Sequence, residues 1–184
     1  PRSLSCLVHD EVQKALALRS PGWTTHGEIL NADRFILLDP TRAASTLKYA
    51  SPRDWIAFDR VREFLDDVVR PDGRLYKDVV HPFATASWLA EDRSIDVLRI
   101  RRCVEDVAWS MIDNGWLYPA RVACESDDET DRLVEGLLRA ERALDGIAAH
   151  AEITFEELTQ DEKRLADVLG DLRGIEVATP EYGD

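Results

Sequence analysis

The chain is poor in cysteine and methionine, with three of the first and one of the second in 184 residues. It also has no apolar run approaching the ~18–20 residues that a membrane span requires. Cys6, Cys103 and Cys124 are odd in number and widely spaced, and they form neither a CxxC pair nor zinc-finger spacing. This pattern excludes a disulfide scaffold and a structural zinc module, and points to reduced thiols in a cytoplasmic protein. The first ten residues contain Arg2 but no apolar stretch of a secretory signal, so no such signal is expected. Positive charge is also scarce: 23 Lys and Arg face 36 Asp and Glu, for a net charge of −13. Affinity for polyanions rests mainly on neutralising phosphates, so a chain this acidic is a poor generic nucleic-acid binder.

The common catalytic signatures are missing too. There is no HExxH, no GxSxG, no GxGxxG and no phosphate loop. His9, His26, His81 and His150 are too far apart to form a ligand pair on one helical turn. No metal or other cofactor is expected, and no set of residues with complementary catalytic roles converges, so the chain reads as a non-enzyme. A small hydrolase using His26 or Cys103 is the weaker alternative.

What remains is the composition of a folded domain: 45% hydrophobic residues with five Trp, five Phe and four Tyr. Charge is unevenly placed. Residues 1–126 carry 17 basic and 19 acidic side chains, net −2, whereas residues 127–184 carry 6 and 17, net −11. The expected organisation is a near-neutral helical domain over 1–125, an acidic element over 126–174 and a tail over 175–184.

Hydrophobic spacing fills in the elements. Val8, Val12, Ala15 and Leu16 mark a first helix, His9 to Arg19, ending at Ser20-Pro21-Gly22. Ser51-Pro52-Arg53-Asp54 signals a helix start, followed by Trp55, Phe58, Val61, Leu65 and Val68 at helical spacing. Pro71-Asp72-Gly73 suggests a hairpin with an outgoing strand from Arg74 to Val80. Thr85 is read as the cap of a short helix to Asp92. Ser94 is read as the cap of a longer helix to Asp113, with the stripe Val97, Ile100, Val104, Val107 and Met111. Asn114-Gly115 then stops it, and short strands are expected either side of Pro119. Ser126-x-x-Glu129 and Thr154-x-x-Glu157 are capping boxes, each opening an apolar stripe. Two such helices joined by a few residues predict an antiparallel αα-hairpin.

Residues 72–122 combine a turn and strand, the short helix around Ala86-Ser87-Trp88-Leu89-Ala90, a four-residue break, and a second helix rich in Arg. This order resembles a winged helix-turn-helix. In that family the second helix enters the major groove of DNA. The resemblance implies Ser94, Arg99, Arg101 and Arg102 as nucleic-acid contacts, arginine being well suited to guanine edges and phosphates.

The expected fold is therefore mainly α with short β-hairpins: a winged-helix-like helical domain followed by an acidic αα-hairpin. Leu133, Leu137, Leu144, Leu165 and Leu172 on the hairpin are expected to meet a protein partner or a second copy. The expected function is a non-enzymatic accessory or regulatory protein of a nucleic-acid transaction. It would act mainly through protein contacts, with modest contact to double-stranded DNA and none with membranes. An assembly subunit, or an acidic mimic of DNA docking through the C-terminal helices, is the alternative within the non-enzyme class.

Overall fold

The computed structural model describes residues 5–19, 24–28, 48–69, 74–91, 95–123, 125–161 and 163–171. Among these the chain is mainly helical, with a few short strands. No helix among the described residues is long and apolar enough to cross a membrane. Helix α1 (Ser5–Arg19) buries Val8, Val12, Ala15 and Leu16 along one stripe. Helix α2 (Trp55–Val68) begins after Asp54 rather than at Pro52. The Asp54 carboxylate accepts the Ala57 N–H at 3.3 Å, taking one of the orphan donors of the first turn. Phe58, Val61 and Leu65 enter the core, but Trp55, at the first helical position, stands 65% exposed and is not part of the stripe.

Strand β1 (Thr24–Glu28) pairs in parallel with β2 (Arg74–Lys77), with an irregularity between Thr25 and Glu28. Pro71-Asp72-Gly73, where a hairpin turn was expected, lies outside the described residues, and the incoming strand expected at Val68-Val69 is not there. Val68 still belongs to a helix and Val69 caps it. Helix α3 (Pro82–Leu89) starts three residues before Thr85. Pro82 suits the first turn, where its missing N–H leaves no bond unmade. The Asp78 carboxylate accepts the N–H groups of Val80 and His81 at 3.0 and 3.2 Å and the Thr85 hydroxyl at 2.5 Å. Thr85 thus braces the loop before the helix instead of capping it. Tyr49 at φ 57 is the one positive-φ residue other than glycine among the described residues. Its N–H donates to Val80 at 2.9 Å, and its ring packs against Phe83 and Tyr118. Burial, with Tyr118 and Asp78 nearby, pushes its phenol well above the ordinary tyrosine range.

The expected continuous helix from Ser94 to Asp113 is instead strand β3 (Leu98–Arg101) followed by helix α4 (Val104–Asp113), with Cys103 at the N-cap. Ser94 itself lies outside the described residues. Leu98-Arg99-Ile100-Arg101 alternates apolar and charged residues, a period of two that competes with the helical stripe. Its partner β4 (Ala151–Thr154) alternates likewise and pairs with it in parallel, Arg99 opposite Glu152 and Ile100 opposite Ile153. One face of the pair sends Ile153, Leu98 and Ile100 into a core built with Val8, Val12 and Leu16 of α1 and with Leu165, Val168 and Leu169. Gly115 at φ 66 ends α4, where a left-handed residue is needed. Tyr118–Arg121 then form a 3-10 turn rather than strands, since Pro119 has no N–H for a ladder but fits a helical first turn. The long second helix drawn on for the winged-helix resemblance, and the strands expected either side of Pro119, therefore take other forms.

Helix α5 (Glu129–Asp145) is capped by Asp128, whose carboxylate accepts from Thr130 and Asp131 at 2.8 and 3.0 Å. Ser126 instead accepts the Asp128 N–H at 3.1 Å. Leu133, Leu137 and Ala140 are buried with Met111, Ala120 and Val122. The helix packs against the 3-10 turn, α3 and α4, so acidity changes near residue 126 while packing runs on across it. Gly136 makes the closest approach. A Cβ there would lie 2.0 Å from the Pro119 oxygen and 2.7 Å from its carbonyl carbon.

The second arm of the expected hairpin is not one helix. The chain after α5 forms β4, then α6 (Phe155–Gln160) and α7 (Arg164–Asp171). The Thr154–Glu157 capping box is present and opens α6. The helix breaks where Asp161 turns extended and its carboxylate accepts the Lys163 N–H at 2.9 Å. Glu157 spans the break by accepting the Arg164 Nε–H at 3.0 Å. The Thr154 N–H, Arg164 and the Thr154 hydroxyl hold its carboxyl below the ordinary glutamate value.

Two predictions follow from this packing. Gly136→Ala should lower the unfolding free energy by about 1–3 kcal/mol, overpacking outweighing the gain in helix propensity. Denaturant unfolding measures it, and an unchanged or raised stability would contradict the Pro119 contact. The Glu157 contribution to stability is complete above the ordinary glutamate pKa of 4.5 and is lost as pH falls through the lower folded value. An NMR titration of its side-chain carboxyl should therefore find a midpoint below 4.5, and a midpoint at or above that value would contradict the cap.

Candidate functional site

Side-chain alternation places Arg99 and Arg101 on the same face of β3, opposite the apolar core. Three carboxylates converge there, Glu152 from β4 and Glu141 and Asp145 from the last turns of α5. Arg99 donates Nε–H to Glu152 at 2.6 Å, and its Nη1 lies 3.2 Å from Asp145. The same Nη1 donates to the Leu144 carbonyl at 2.8 Å, a cation satisfying an orphan acceptor at a helix C-terminus. Arg101 reaches Glu152 at 2.9 Å and Glu141 at 3.4 Å, and also pairs with Asp145. Partial burial works against its charge, but Glu152, Asp145 and Glu141 outweigh that and raise its pKa above the ordinary arginine value. Arg102 points elsewhere: its guanidinium carbon lies 4.4 Å from the centre of the Phe155 ring, and its Nε is 4.0 Å from Asp106.

Next to this lattice is a shallow cleft of about 370 Å³ at the start of α4, lined by Arg101, Arg102, Val104, Glu105, Leu138 and Glu141 among others. Cys103 is exposed at its rim, and its thiol donates to Glu105 at 2.8 Å. That bond and the Glu105 N–H hold the Glu105 carboxyl below the usual carboxylate range. From Glu105 the outer face of α4 continues through Asp106, Trp109 and Asp113, all exposed. Trp109 is 66% exposed, and the cleft residue Leu138 is 41% exposed. On α2, Trp55 and Ile56 form a second exposed apolar pair.

The nominated residues are thus only partly brought together. Arg99 and Arg101 share one face but are engaged by carboxylates of the same chain, and Arg102, set over the Phe155 ring, lines the cleft with Arg101. Leu133, Leu137 and Leu165 belong to the chain's own core, Leu144 is half-buried, and Leu172 lies outside the described residues. Burial removes the first three from any docking surface of the folded chain. His150 accepts the Val97 N–H at 3.0 Å and stands 3.3 Å from Asp96, fastening the start of β3 to β4. His81 is buried in the loop before α3. Among the described residues no three His, Cys, Asp or Glu side chains form a cation cradle. No family model matches the chain, and no curated protein or solved structure does either.

Sequence reasoning passed over Trp109. Its signal was legible, because position 109 falls outside the Val104, Val107 and Met111 stripe and so must face outward. With Arg99, Arg101 and Arg102 engaged within the chain, it should give no salt-dependent rise in anisotropy with a labelled DNA duplex. Arg101→Ala with Arg102→Ala should leave that flat trace unchanged while lowering stability by about 1–3 kcal/mol. Duplex binding by the parent chain that the double variant loses would contradict the internal pairing.

Proposed function

We propose that this chain is a non-enzymatic accessory or regulatory protein that works by binding other proteins through exposed aromatic surfaces. The observation that carries this reading is Trp109, a large ring standing 66% exposed on a helix whose other face packs into the core through Ala108 and Met111. Tryptophan offers large contact area at small entropic cost and is enriched among the residues that dominate binding energy. Trp55 beside Ile56 supplies a second surface of the same kind on α2. Contact with DNA through Arg99 and Arg101 is not part of the proposal. Phosphates would have to displace Glu141, Asp145 and Glu152 from guanidinium groups they already neutralise.

Site-specific photo-crosslinking tests the reading in cells that make the protein. A benzophenone amino acid at position 55 or 109 should give discrete protein adducts, and the same group at the exposed Glu129 should not. Absence of adducts at both aromatic positions would refute it.

A further inference from the structure

We propose that the outer face of α4 docks a basic, amphipathic segment of a partner protein, with the Trp109 ring at its centre. This names the partner chemistry of the proposed interaction surface and rests on that reading. Glu105 and Asp113 lie one helical turn to either side of Trp109, and Asp106 lies three residues before it. All four are exposed, and α4, VEDVAWSMID, contains no basic residue. An indole ring framed by carboxylates matches a lysine or arginine side chain twice over: the electron-rich ring face attracts the cation, and the carboxylates hydrogen-bond it.

The cleft extends the same surface. Val104 and Glu105 of α4 line it with Leu138, and its three carboxylates, Glu105, Glu141 and Glu156, outnumber the two guanidinium groups, Arg101 and Arg102, that also line it. A volume of about 370 Å³ is enough for apolar anchors entering from a segment that lies along α4. Charge complementarity decides the occupant. A second copy would bring Glu105, Asp106 and Asp113 against their own kind on a chain of net charge −13. Nucleic acid is repelled for the same reason.

The test uses the full chain and a dye-labelled synthetic helical peptide, with Leu at the a and d positions of each heptad and Lys elsewhere, followed by anisotropy. An analogue with Glu in place of Lys is the control. The expected result is saturable binding of the Lys peptide alone, weakened about tenfold or more by Trp109→Ala. Glu105→Gln with Asp113→Asn should weaken it similarly, and Glu129→Gln with Asp131→Asn should leave it nearly unchanged. Circular dichroism confirms that each variant is folded, since all the positions are on the surface. Equal binding by the parent chain and Trp109→Ala, or no binding of the Lys peptide, would overturn the proposal. Self-association lost in Trp109→Ala, seen by sedimentation, would overturn it in favour of a second copy. Crosslinked adducts at position 109 together with failure of the Lys peptide would remove this partner class alone, whereas absent adducts at positions 55 and 109 would remove the interaction reading itself.

Discussion

Two guanidinium groups on one strand face hold the C-terminal half of this protein in place. Arg99 and Arg101 meet Glu152 across the strand pair and Glu141 and Asp145 from the end of α5, and Arg99 also binds the Leu144 carbonyl there. A half-buried charge needs a partner, and removing one partner costs more than the pair contributes in net stability. The lattice therefore acts chiefly as a geometric constraint. It fixes α5 and β4 relative to β3, and β3 and β4 in turn present Ile100 and Ile153 to the core shared with α1 and α7. At its other end α5 is held by shape instead of charge, where Gly136 lets the helix lie directly on Pro119.

The same arrangement decides which surfaces remain available. The cations that sequence alone would assign to DNA are engaged within the chain, and three of the leucines that it would assign to a partner, Leu133, Leu137 and Leu165, fill the core. What faces outward is α4, with Trp109 among Glu105, Asp106 and Asp113, and the Trp55–Ile56 pair at the start of α2. Acidity here has two roles. On α5 and β4 it clamps the structure, and on α4 it frames an exposed ring.

Much of the helical framework was legible in the sequence. The stripes of α1 and α5 and the Thr154–Glu157 capping box all read through to structure, because one apolar period dominated each segment. Residues 98–101 misled because two periods coexist there. Ile100 and Val104 fit a helical stripe, whereas Leu98 and Ile100 alternate with arginines, and the tie is settled by a partner strand about fifty residues away that no local pattern reveals. Caps shifted wherever an aspartate stood within a few residues of the serine that was read as the cap, as Asp54 and Asp128 show. The charge step near residue 126 suggested an appendage, but charge sets what a surface attracts and not where a core ends. Arg99 and Arg101 were read as nucleic-acid contacts because the carboxylates they meet lie on α5 and β4, brought near only by the fold.

The central claim is that these arginines are bound by their own chain. A double-mutant cycle on Arg99 and Glu152, by denaturant unfolding of Arg99→Ala, Glu152→Gln and the double variant, tests it most directly. An internal lattice predicts a coupling energy of about 1 kcal/mol or more. Additive losses, with coupling within about 0.3–0.5 kcal/mol of zero, would contradict it and return the arginines to solvent and to other ligands.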